Sequence, residues 1–196
     1  MSDLEQRLVR LEQQLAQMAG QLAQQEETLL LIGDVQRFSR LRQLLVAGQL
    51  DAADWETARL VHDQLASTPE GLSPEALERC AASPLQIIDA LWRGNAAGQQ
   101  GFAVQQQLYR DLGGSRATLV AQNPVLFRRF TERVGWPLLA GVGFALPEQL
   151  TVPVASALDA SGLPPAGHLP MRCWSTDYGL KAANLLMARL IDVFAP

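Results

Sequence analysis

The sequence predicts an all-α protein. Apolar residues recur at three- and four-residue steps along most of the chain, which is the spacing of one helix face. No segment shows the sustained alternation of apolar and polar positions, with β-branched residues, that is typical of strands. We therefore predict a multi-helix globular core, preceded by an N-terminal coiled-coil helix.

The coiled-coil helix is predicted over residues 2–32. Its apolar seam advances by alternating steps of four and three residues, with Gln25 as the only polar interruption, through Leu4, Leu8, Leu11, Leu15, Met18, Leu22 and Leu29. Because an exposed seam is costly, the segment either pairs with a second copy or folds back on its own domain, and the pattern favours self-association. Gly33-Asp34 interrupts the seam, which predicts two domains, 1–33 and 34–196.

Helix-start signals recur along the second domain. Asp51 is a candidate N-cap, and Ser83-Pro84 and Asn123-Pro124 each place a cap residue before a proline, which is typical of a first helical turn. An apolar stripe predicts a final helix at about residues 176–194. These segments together account for the predicted helical core.

A long segment, residues 134–173, lacks this periodicity and is rich in proline and glycine. Long irregular segments in compact domains are usually functional or disordered, and the apolar residues here favour a functional loop. Its end, "PPAGHLPMRCW" at residues 164–174, brings together one of the two histidines, His168, and one of the two cysteines, Cys173. Both residue types bind metals and cofactors, so this stretch is the first candidate site.

Composition and charge exclude several classes of function. The net charge of −4, with no run of basic residues, argues against a grip on nucleic-acid phosphates. No apolar run reaches the ~20 residues that span a bilayer, and the first residues show neither a secretion signal nor a transit peptide. The two cysteines, Cys80 and Cys173, are expected to be reduced thiols in a cytoplasmic protein.

The motifs of common enzymes are missing from the sequence. It contains no phosphate-binding glycine loop, no Cys-x-x-Cys, no paired-histidine zinc spacing and no nucleophile elbow. Asp89, among apolar neighbours, is expected to tie loop amides or an arginine, and His62 to lie at the surface or in a satisfied hydrogen bond. With two histidines the chain offers few metal ligands, so we expect no protein-bound metal. A binding module with an apolar, partly aromatic pocket remains.

Three ordered motifs resemble those of a known family. They are Ile88-Asp89-Ala90-Leu91-Trp92 with Gly98 and Gly101-Phe102-Ala103-Val104-Gln105, then Arg133-Val134-Gly135-Trp136, then Gly167-His168-Leu169-Pro170. In this order and spacing they resemble the genomes-uncoupled-four family, the tetrapyrrole-binding regulators of magnesium chelatase in oxygenic phototrophs. Gln100 stands where the family usually has phenylalanine, Ala103 where it has serine, and Pro137 where a basic residue is common. The chain therefore resembles a divergent paralogue.

The resemblance implies a cupped apolar palm that receives a flat macrocycle, with residues 150–173 as a mobile wall that has few backbone bonds to hold it. The ligand-binding residues it implies are Arg93, Phe102, Val104, Trp136, Phe144, Leu146, His168, Leu169, Pro170, Arg172 and Trp174. Arg172 and then Arg93 are the candidates to pair with propionates, against the alternative of solvated surface arginines. For His168, loop anchoring, a polar contact to the ligand and metal ligation all stay open. Cys173 either contacts a linear tetrapyrrole or packs as an unreactive side chain.

The implied function is non-enzymatic binding of protoporphyrin IX or Mg-protoporphyrin IX, as a carrier, sensor or activator in the magnesium chelatase branch of chlorophyll biosynthesis. Alternatives are a bilin-binding paralogue, or a coiled-coil interaction protein with a decayed pocket. Expected partners are a magnesium chelatase subunit and further copies of the chain through residues 1–32, without nucleic acid. The implied location is the cytoplasm of a cyanobacterial-type cell, with at most peripheral association with the thylakoid membrane.

Overall fold

The computed structural model describes residues 14, 15, 17, 18, 21, 33, 35–66, 74–136, 157, 164–174 and 179–195. The chain divides into two compact units, residues 1–40 and residues 41–196, and each is described by itself. Phe144 and Leu146, two of the predicted ligand-binding residues, lie outside the described residues.

In the first unit, all the described residues are helical. Two of them belong to the predicted seam: Leu15 is 66% exposed and Met18 is 59% exposed. The other seam positions lie outside the described residues. The coiled coil and the domain boundary near residue 34 therefore stay predictions.

The second unit is built from helices, and its described residues contain no strand. The all-α prediction is confirmed. The helices are α1, of which residues 41–46 lie in this unit, α2 (Leu50–Ala66), α3 (Pro74–Arg79), α4 (Ala82–Asn95), α5 (Phe102–Asp111), α6 (Arg116–Val120), α7 (Pro124–Arg133) and α8 (Gly179–Val193), with a 3-10 turn at Arg172–Trp174 before α8.

Helix starts agree with the sequence signals in one case and differ in two. The Asn123 side chain accepts hydrogen bonds from the backbone N–H groups of Val125 and Leu126, both at 3.1 Å, so the predicted cap of α7 is confirmed. Asp51 lies inside the first turn of α2, one residue after its start, and is not the N-cap. The predicted start of α4, with Ser83 as the cap and Pro84 as the first helical residue, was wrong by two residues: the N-cap is Ala81 and the helix begins at Ala82.

Helix α8 is the central element of the second unit. It packs on α3, α4, α5, α6 and the 3-10 turn, and it buries one apolar face against them. Helix α2 is tied to α4 by a hydrogen bond from the Trp92 indole to Thr57 Oγ1, at 3.0 Å. Residues 164–174 return across α2, the α4–α5 connection and α5.

A cluster of five aromatic rings fills the space under that return segment. The ring of Phe130 lies edge-on to Tyr109, Phe127 and Trp136, at centroid distances of 5.8, 5.7 and 5.4 Å. Trp136 and Trp174 lie 5.5 Å apart. Edge-to-face contacts of this kind each contribute about 0.5–1.5 kcal/mol beyond burial, so the cluster fixes the floor on which the candidate site is built.

Candidate functional site

Residues Pro164–Trp174, here called the strap, cross the helical core as an irregular segment that ends in the 3-10 turn. Except for Pro165 and Ala166, every residue of the strap is buried. The Leu169–Pro170 peptide bond is cis. A buried segment without regular structure must satisfy its backbone polar groups through side chains, and the strap does so through three elements.

Two glutamines bind the strap from the α4–α5 side. Gln100 Nε2 donates to the carbonyls of Pro164 and Pro165, at 3.1 and 2.9 Å, and Gln100 Oε1 accepts from Leu169 N–H at 2.8 Å. Gln100 and the second glutamine, Gln105, are at least 99% buried, so bulk water does not compete for their hydrogen bonds. Gln100, where the family pattern has phenylalanine, therefore acts as a clamp on the strap.

Gln105, in the first half of α5, is the second residue of the clamp. Its Nε2 donates to the carbonyls of Gly167 and Pro170, at 3.0 and 2.8 Å. Its Oε1 accepts from the Trp174 indole N–H at 3.1 Å. The two amides together satisfy donors and acceptors along most of the strap, because an amide side chain offers both kinds of group.

Asp54 of α2 holds the other end of the strap. Its Oδ1 accepts from the backbone N–H groups of Met171 and Arg172, at 2.8 and 3.2 Å. Its Oδ2 lies 3.5 Å from Arg172 Nε. Burial raises the pKa of Asp54 to about 6, against the opposing effect of the two backbone hydrogen bonds and the Arg172 charge. Asp51, on the same helix, accepts from Arg172 at 2.6 Å.

His168 anchors the strap to the end of α7. Its Nδ1 lies 2.8 Å from the Val134 carbonyl, and its own carbonyl accepts from the Trp136 indole at 2.7 Å. Burial lowers the pKa of His168, so the ring is neutral near pH 7. In this structure His168 therefore makes the contacts expected of a loop anchor.

Asp89 of α4 joins this helix to the start of α5. Its Oδ1 accepts from Ala103 N–H at 2.8 Å, and its Oδ2 accepts from Arg93 Nε at 2.7 Å. Asp89 was expected to tie loop amides or an arginine; the arginine is confirmed, while the amide belongs to the first turn of α5 and not to a loop. The neighbouring Gly101 donates its N–H to the Leu169 carbonyl at 2.9 Å.

The structure places the predicted ligand residues at very different depths. Fully or largely buried are Phe102, Trp136, His168, Leu169, Pro170, Arg172 and Trp174, while Val104 is half-buried and Arg93 exposed. Of these buried residues, His168, Leu169, Pro170, Arg172 and Trp174 belong to the strap, and Trp136 packs on Trp174. Its contacts with a ligand stay predictions, as do those of Phe144 and Leu146.

The expectation of a weakly held wall was wrong for the strap. Side-chain amides, Asp54 and His168 hold residues 164–174 by the hydrogen bonds given above. The sequence suggested mobility because proline and glycine form few regular backbone bonds, and it carried no sign that side chains would replace them. Apart from residue 157, residues 150–163 lie outside the described residues.

One exposed aromatic residue was missed by the sequence analysis. Trp55 of α2 is 52% exposed, and the Arg172 guanidinium carbon lies 4.3 Å from its ring centroid. The guanidinium covers one part of the indole and leaves the rest open to solvent. The signal was available, because the residues four positions before and after Trp55 are the charged Asp51 and Arg59, which puts the indole on a polar helix face.

Cys173 is 2% exposed, and burial together with the charge of Asp54 raises the pKa of its thiol well above the ordinary value. A protonated, enclosed thiol is a poor nucleophile. Among the described residues no group of three His, Cys, Asp or Glu side chains could hold a metal ion, and none of the described helices has the length and apolar character to cross a bilayer.

A family model described as GUN4-like matches residues 32–182. This chain belongs to the GUN4-like family. The resemblance to the genomes-uncoupled-four family is thereby confirmed. Members of this family are in general non-catalytic regulators that bind tetrapyrroles.

Two solved structures are similar to the chain. "The ligand-free structure of Arabidopsis thaliana GUN4" is 22% identical, with a TM-score of 0.58 over 82% of this chain and 95% of that chain. "Structure of GUN4 from Chlamydomonas reinhardtii" is 19% identical, with a TM-score of 0.49 over 76% of this chain and 85% of that chain. The likeness to the Arabidopsis structure shows the shared all-helical GUN4 fold. No curated protein matches the chain.

Proposed function

We propose that this GUN4-like protein is a non-enzymatic tetrapyrrole-binding regulator that carries or senses a porphyrin and activates magnesium chelatase. The observation that carries the proposal is the family match over residues 32–182, which contains all three sequence motifs and the strap. Protoporphyrin IX and Mg-protoporphyrin IX are the ligands we propose. When bound, the tetrapyrrole would supply the signal, while the protein supplies the apolar surface and the cations.

Trp55 and Arg172 are the described residues whose chemistry best fits a macrocycle at the surface. A porphyrin is flat and apolar with propionates at one edge, and Trp55 presents a half-exposed flat ring beside a cation. The Arg172 side chain is 4% exposed and already pairs with Asp51, so a propionate would have to compete with that carboxylate. We propose that Trp55 stacks on the macrocycle and that Arg172 exchanges Asp51 for a propionate.

Apolar burial would provide most of the affinity. A macrocycle that buries several hundred Å² at ~25 cal/mol per Å² gains enough for micromolar binding after the cost of association. Titration of the full-length protein with protoporphyrin IX should shift the Soret band and quench tryptophan fluorescence at micromolar ligand. If neither the Soret band nor the tryptophan fluorescence changes, the proposed function is ruled out.

Trp55→Ala tests the stacking role. Loss of one ring contact should weaken porphyrin binding about tenfold, since such contacts are worth about 1–1.5 kcal/mol. Val125→Ala is the matched control, because Val125 is also an apolar side chain that is 52% exposed, and it lies on α7. If both variants bind like the wild type in the Soret titration, Trp55 is not part of the site.

Asp51→Asn tests the propionate role without removing the buried arginine. Removal of the competing carboxylate should strengthen binding of free-acid protoporphyrin IX several-fold and leave its dimethyl ester unchanged. An equal effect on acid and ester would show that Arg172 does not contact propionates. Arg172→Ala is the less selective variant, because it also removes the guanidinium that pairs with Asp54, the α2 carboxylate that holds the strap.

A linear tetrapyrrole stays an alternative ligand, and biliverdin belongs in the same titrations. Because the Cys173 thiol is buried and protonated, we expect biliverdin to be released completely in denaturant. Pigment that stays on wild-type protein but not on Cys173→Ser would instead show a covalent adduct.

We propose that residues 1–32 make the protein oligomeric. The exposure of Leu15 and Met18 in the single chain supports this, because an apolar seam is stabilised by pairing. Light scattering should give a multiple of 21.4 kDa for the full chain and a monomer for a chain that starts at Gly33. Monomers in both cases would favour a segment folded on its own domain.

The regulatory role needs a separate assay. Addition of the porphyrin-loaded protein to purified magnesium chelatase subunits should raise the rate of magnesium insertion. Porphyrin binding without any rate change would leave a carrier or sensor, and a rate change without porphyrin binding would favour the coiled-coil interaction protein with a decayed pocket. We propose a cytoplasmic location with peripheral thylakoid association, which fractionation of cells would test.

A further inference from the structure

Two carboxylates of α2 face one guanidinium of the strap. Asp51 Oδ1 accepts from Arg172 Nη2 at 2.6 Å, and Asp54 Oδ2 lies 3.5 Å from Arg172 Nε. The three side chains differ in their access to water: Asp51 is 49% exposed, Arg172 is 4% exposed and Asp54 is 0% exposed. With all three groups ionised, two negative charges therefore surround one positive charge, and one of the negative charges is out of water.

The two oxygens of the buried carboxylate are used differently. Asp54 Oδ1 accepts from the backbone N–H groups of Met171 and Arg172, at 2.8 and 3.2 Å. Asp54 Oδ2 has its ion-pair contact with Arg172 but makes no hydrogen bond to the described residues. A protonated carboxyl group still accepts through its other oxygen. A proton on Oδ2 would therefore leave both hydrogen bonds to the strap in place.

The surroundings of Asp54 favour such a proton. A buried carboxylate loses the hydration that stabilises its charge, which raises its pKa. Here burial outweighs the two backbone hydrogen bonds and the charge of Arg172, and the pKa of Asp54 rises to about 6. Near neutral pH the group is close to its titration range, so a change in the charge around it changes its protonation.

The charged and titratable groups around Asp54 come from the strap and from α2 itself. The strap contributes Arg172 and the Cys173 thiol, whose pKa is raised by burial, so the thiol stays protonated near neutral pH. On α2, Asp51 lies one helical turn before Asp54. Helix α4 also packs on α2, and its buried carboxylate, Asp89, is bonded to an arginine of its own helix. Arg172 and Asp51 are thus the ionised groups that act on Asp54.

A ligand carboxylate at Arg172 would bring a third negative charge to this cluster. This step rests on the proposed function, in which a propionate takes the place of Asp51 at the guanidinium. Asp51 stays nearby because it is attached to α2, so three carboxylates then surround one cation. Like charges at such distances disfavour each other's ionised form. Asp54 has the least solvent to offset this repulsion, so it is the group that binds a proton.

We propose that Asp54 couples ligand binding to proton uptake: the site takes up a proton at Asp54 Oδ2 when it binds a tetrapyrrole with free propionates. The proton comes from solvent, and the propionate stays ionised against Arg172. Because the complex binds more protons than the free protein, binding strengthens as the pH falls from about 7.5 to 5.5. A tetrapyrrole ester brings no carboxylate and does not cause the uptake.

Calorimetric titration measures the proton uptake directly. Protoporphyrin IX is titrated into the full-length protein in two buffers that differ in their enthalpy of ionisation, because the difference in binding heat gives the number of protons taken up. At about pH 6.5 we expect about 0.5 proton per porphyrin, and binding should be about fivefold tighter at pH 5.5 than at pH 7.5. The dimethyl ester of the same porphyrin should bind without proton uptake.

Asp54→Asn imitates the protonated state, because its side-chain oxygen can still accept from the strap. This variant should take up no proton, and at pH 7.5 it should bind protoporphyrin IX about fivefold more tightly than the wild type does. Any titration of the porphyrin itself is common to both proteins and cancels in the comparison.

Asp63→Asn is the matched control. Asp63 is another carboxylate of α2, its side chain is 53% exposed, and it pairs with Arg59, which also binds Glu56. The variant removes the same charge from the same helix without touching the strap. It should keep the proton uptake and the pH dependence of the wild type.

The possible results separate this inference from the proposed function. Equal proton uptake by the wild type and Asp54→Asn, or loss of the uptake in Asp63→Asn, overturns the inference and leaves tetrapyrrole binding in place. If protoporphyrin IX does not bind at either pH, the proposed function is overturned and the inference with it.

If Asp54→Asn does not fold, ¹³C NMR of aspartate-labelled wild type decides. The carboxyl group that titrates near pH 6 should gain about tenfold in proton affinity when the protein is saturated with protoporphyrin IX. An unchanged titration of that carboxyl group overturns the inference.

Discussion

The Nδ1 atom of His168 lies 2.8 Å from the carbonyl oxygen of Val134, and this contact fixes the state of the imidazole. A carbonyl oxygen accepts only, so Nδ1 must carry the proton. Because burial lowers the pKa of His168, the ring is neutral and Nε2 bears the lone pair. The strap thus depends on one tautomer of one histidine.

We expect ¹⁵N spectra near pH 7 to show His168 as a neutral ring protonated at Nδ1. The chain has two histidines, so a His62→Gln variant leaves only the resonances of His168. The lowered pKa means that the stability contributed by His168 is present above pH 6.5 and is lost as the pH falls through the folded pKa. A ring protonated at Nε2, or charged at pH 7, would contradict this assignment.

Gln100→Leu should release one end of the strap. The change removes three hydrogen bonds and leaves buried carbonyls and an N–H without their partners, which should lower the free energy of unfolding by about 2–4 kcal/mol. Gln107→Leu is the control, since Gln107 is exposed and its side chain donates to Asp111 of its own helix; it should change stability by less than about 0.5 kcal/mol. Urea unfolding of both variants measures the difference, and equal small effects would mean that the clamp is not important for stability.

Gly101→Ala should destabilise the protein by at least about 2 kcal/mol. Gly101 has a φ of 120°, and an added Cβ would lie 2.6 Å from Asp89 Oδ1, which also holds the first turn of α5. Gly94→Ala is the matched control: it lies in α4, with nothing within 4 Å of the added Cβ, and should stabilise by up to about 1 kcal/mol. Thermal unfolding should therefore move in opposite directions for the two alanines, and a shift in the same direction would be inconsistent with this structure.

Asp54 should give the protein a distinctive pH dependence. Its pKa rises from 3.8 to about 6 on burial, so the stability that it contributes is fully present below pH 3.8 and is lost as the pH rises through 6. Relative to the non-titrating Asp54→Asn variant, the wild type should lose at most about 3 kcal/mol between pH 4 and 7. The difference in unfolding free energy between the two proteins, measured across this range, tests the sign. Parallel pH profiles would show that the carboxyl titrates alike in the folded and unfolded chains.

The helices and the role of Asp89 could be predicted from sequence because both follow from local patterns. Helical spacing and the Asn123-Pro124 pair depend on neighbouring residues only. Asp89 lies four residues before Arg93 on the same helix, so the two side chains can pair. These features need no knowledge of the tertiary fold.

The architecture of the strap could not be predicted in this way. Gln100 and Gln105 have the composition of surface residues, and their burial results from carbonyls that arrive from more than 60 positions away in sequence. Likewise, Arg172 was expected either to pair with the propionates of a ligand or to be a solvated surface arginine, and neither expectation indicated that it would be buried. Its burial depends on Asp54 and Asp51, two carboxylates on α2 that no local pattern connects to it.

The strap also has a kinetic consequence. Its bonds close very long loops: Met171 to Asp54 spans 117 residues, and Arg172 to Asp51 spans 121. Such contacts raise the contact order, and their loop-closure entropy must be overcome before they contribute any stability. The strap should therefore dock after the helices have assembled, so substitutions in its clamp should speed unfolding while leaving the refolding rate nearly unchanged.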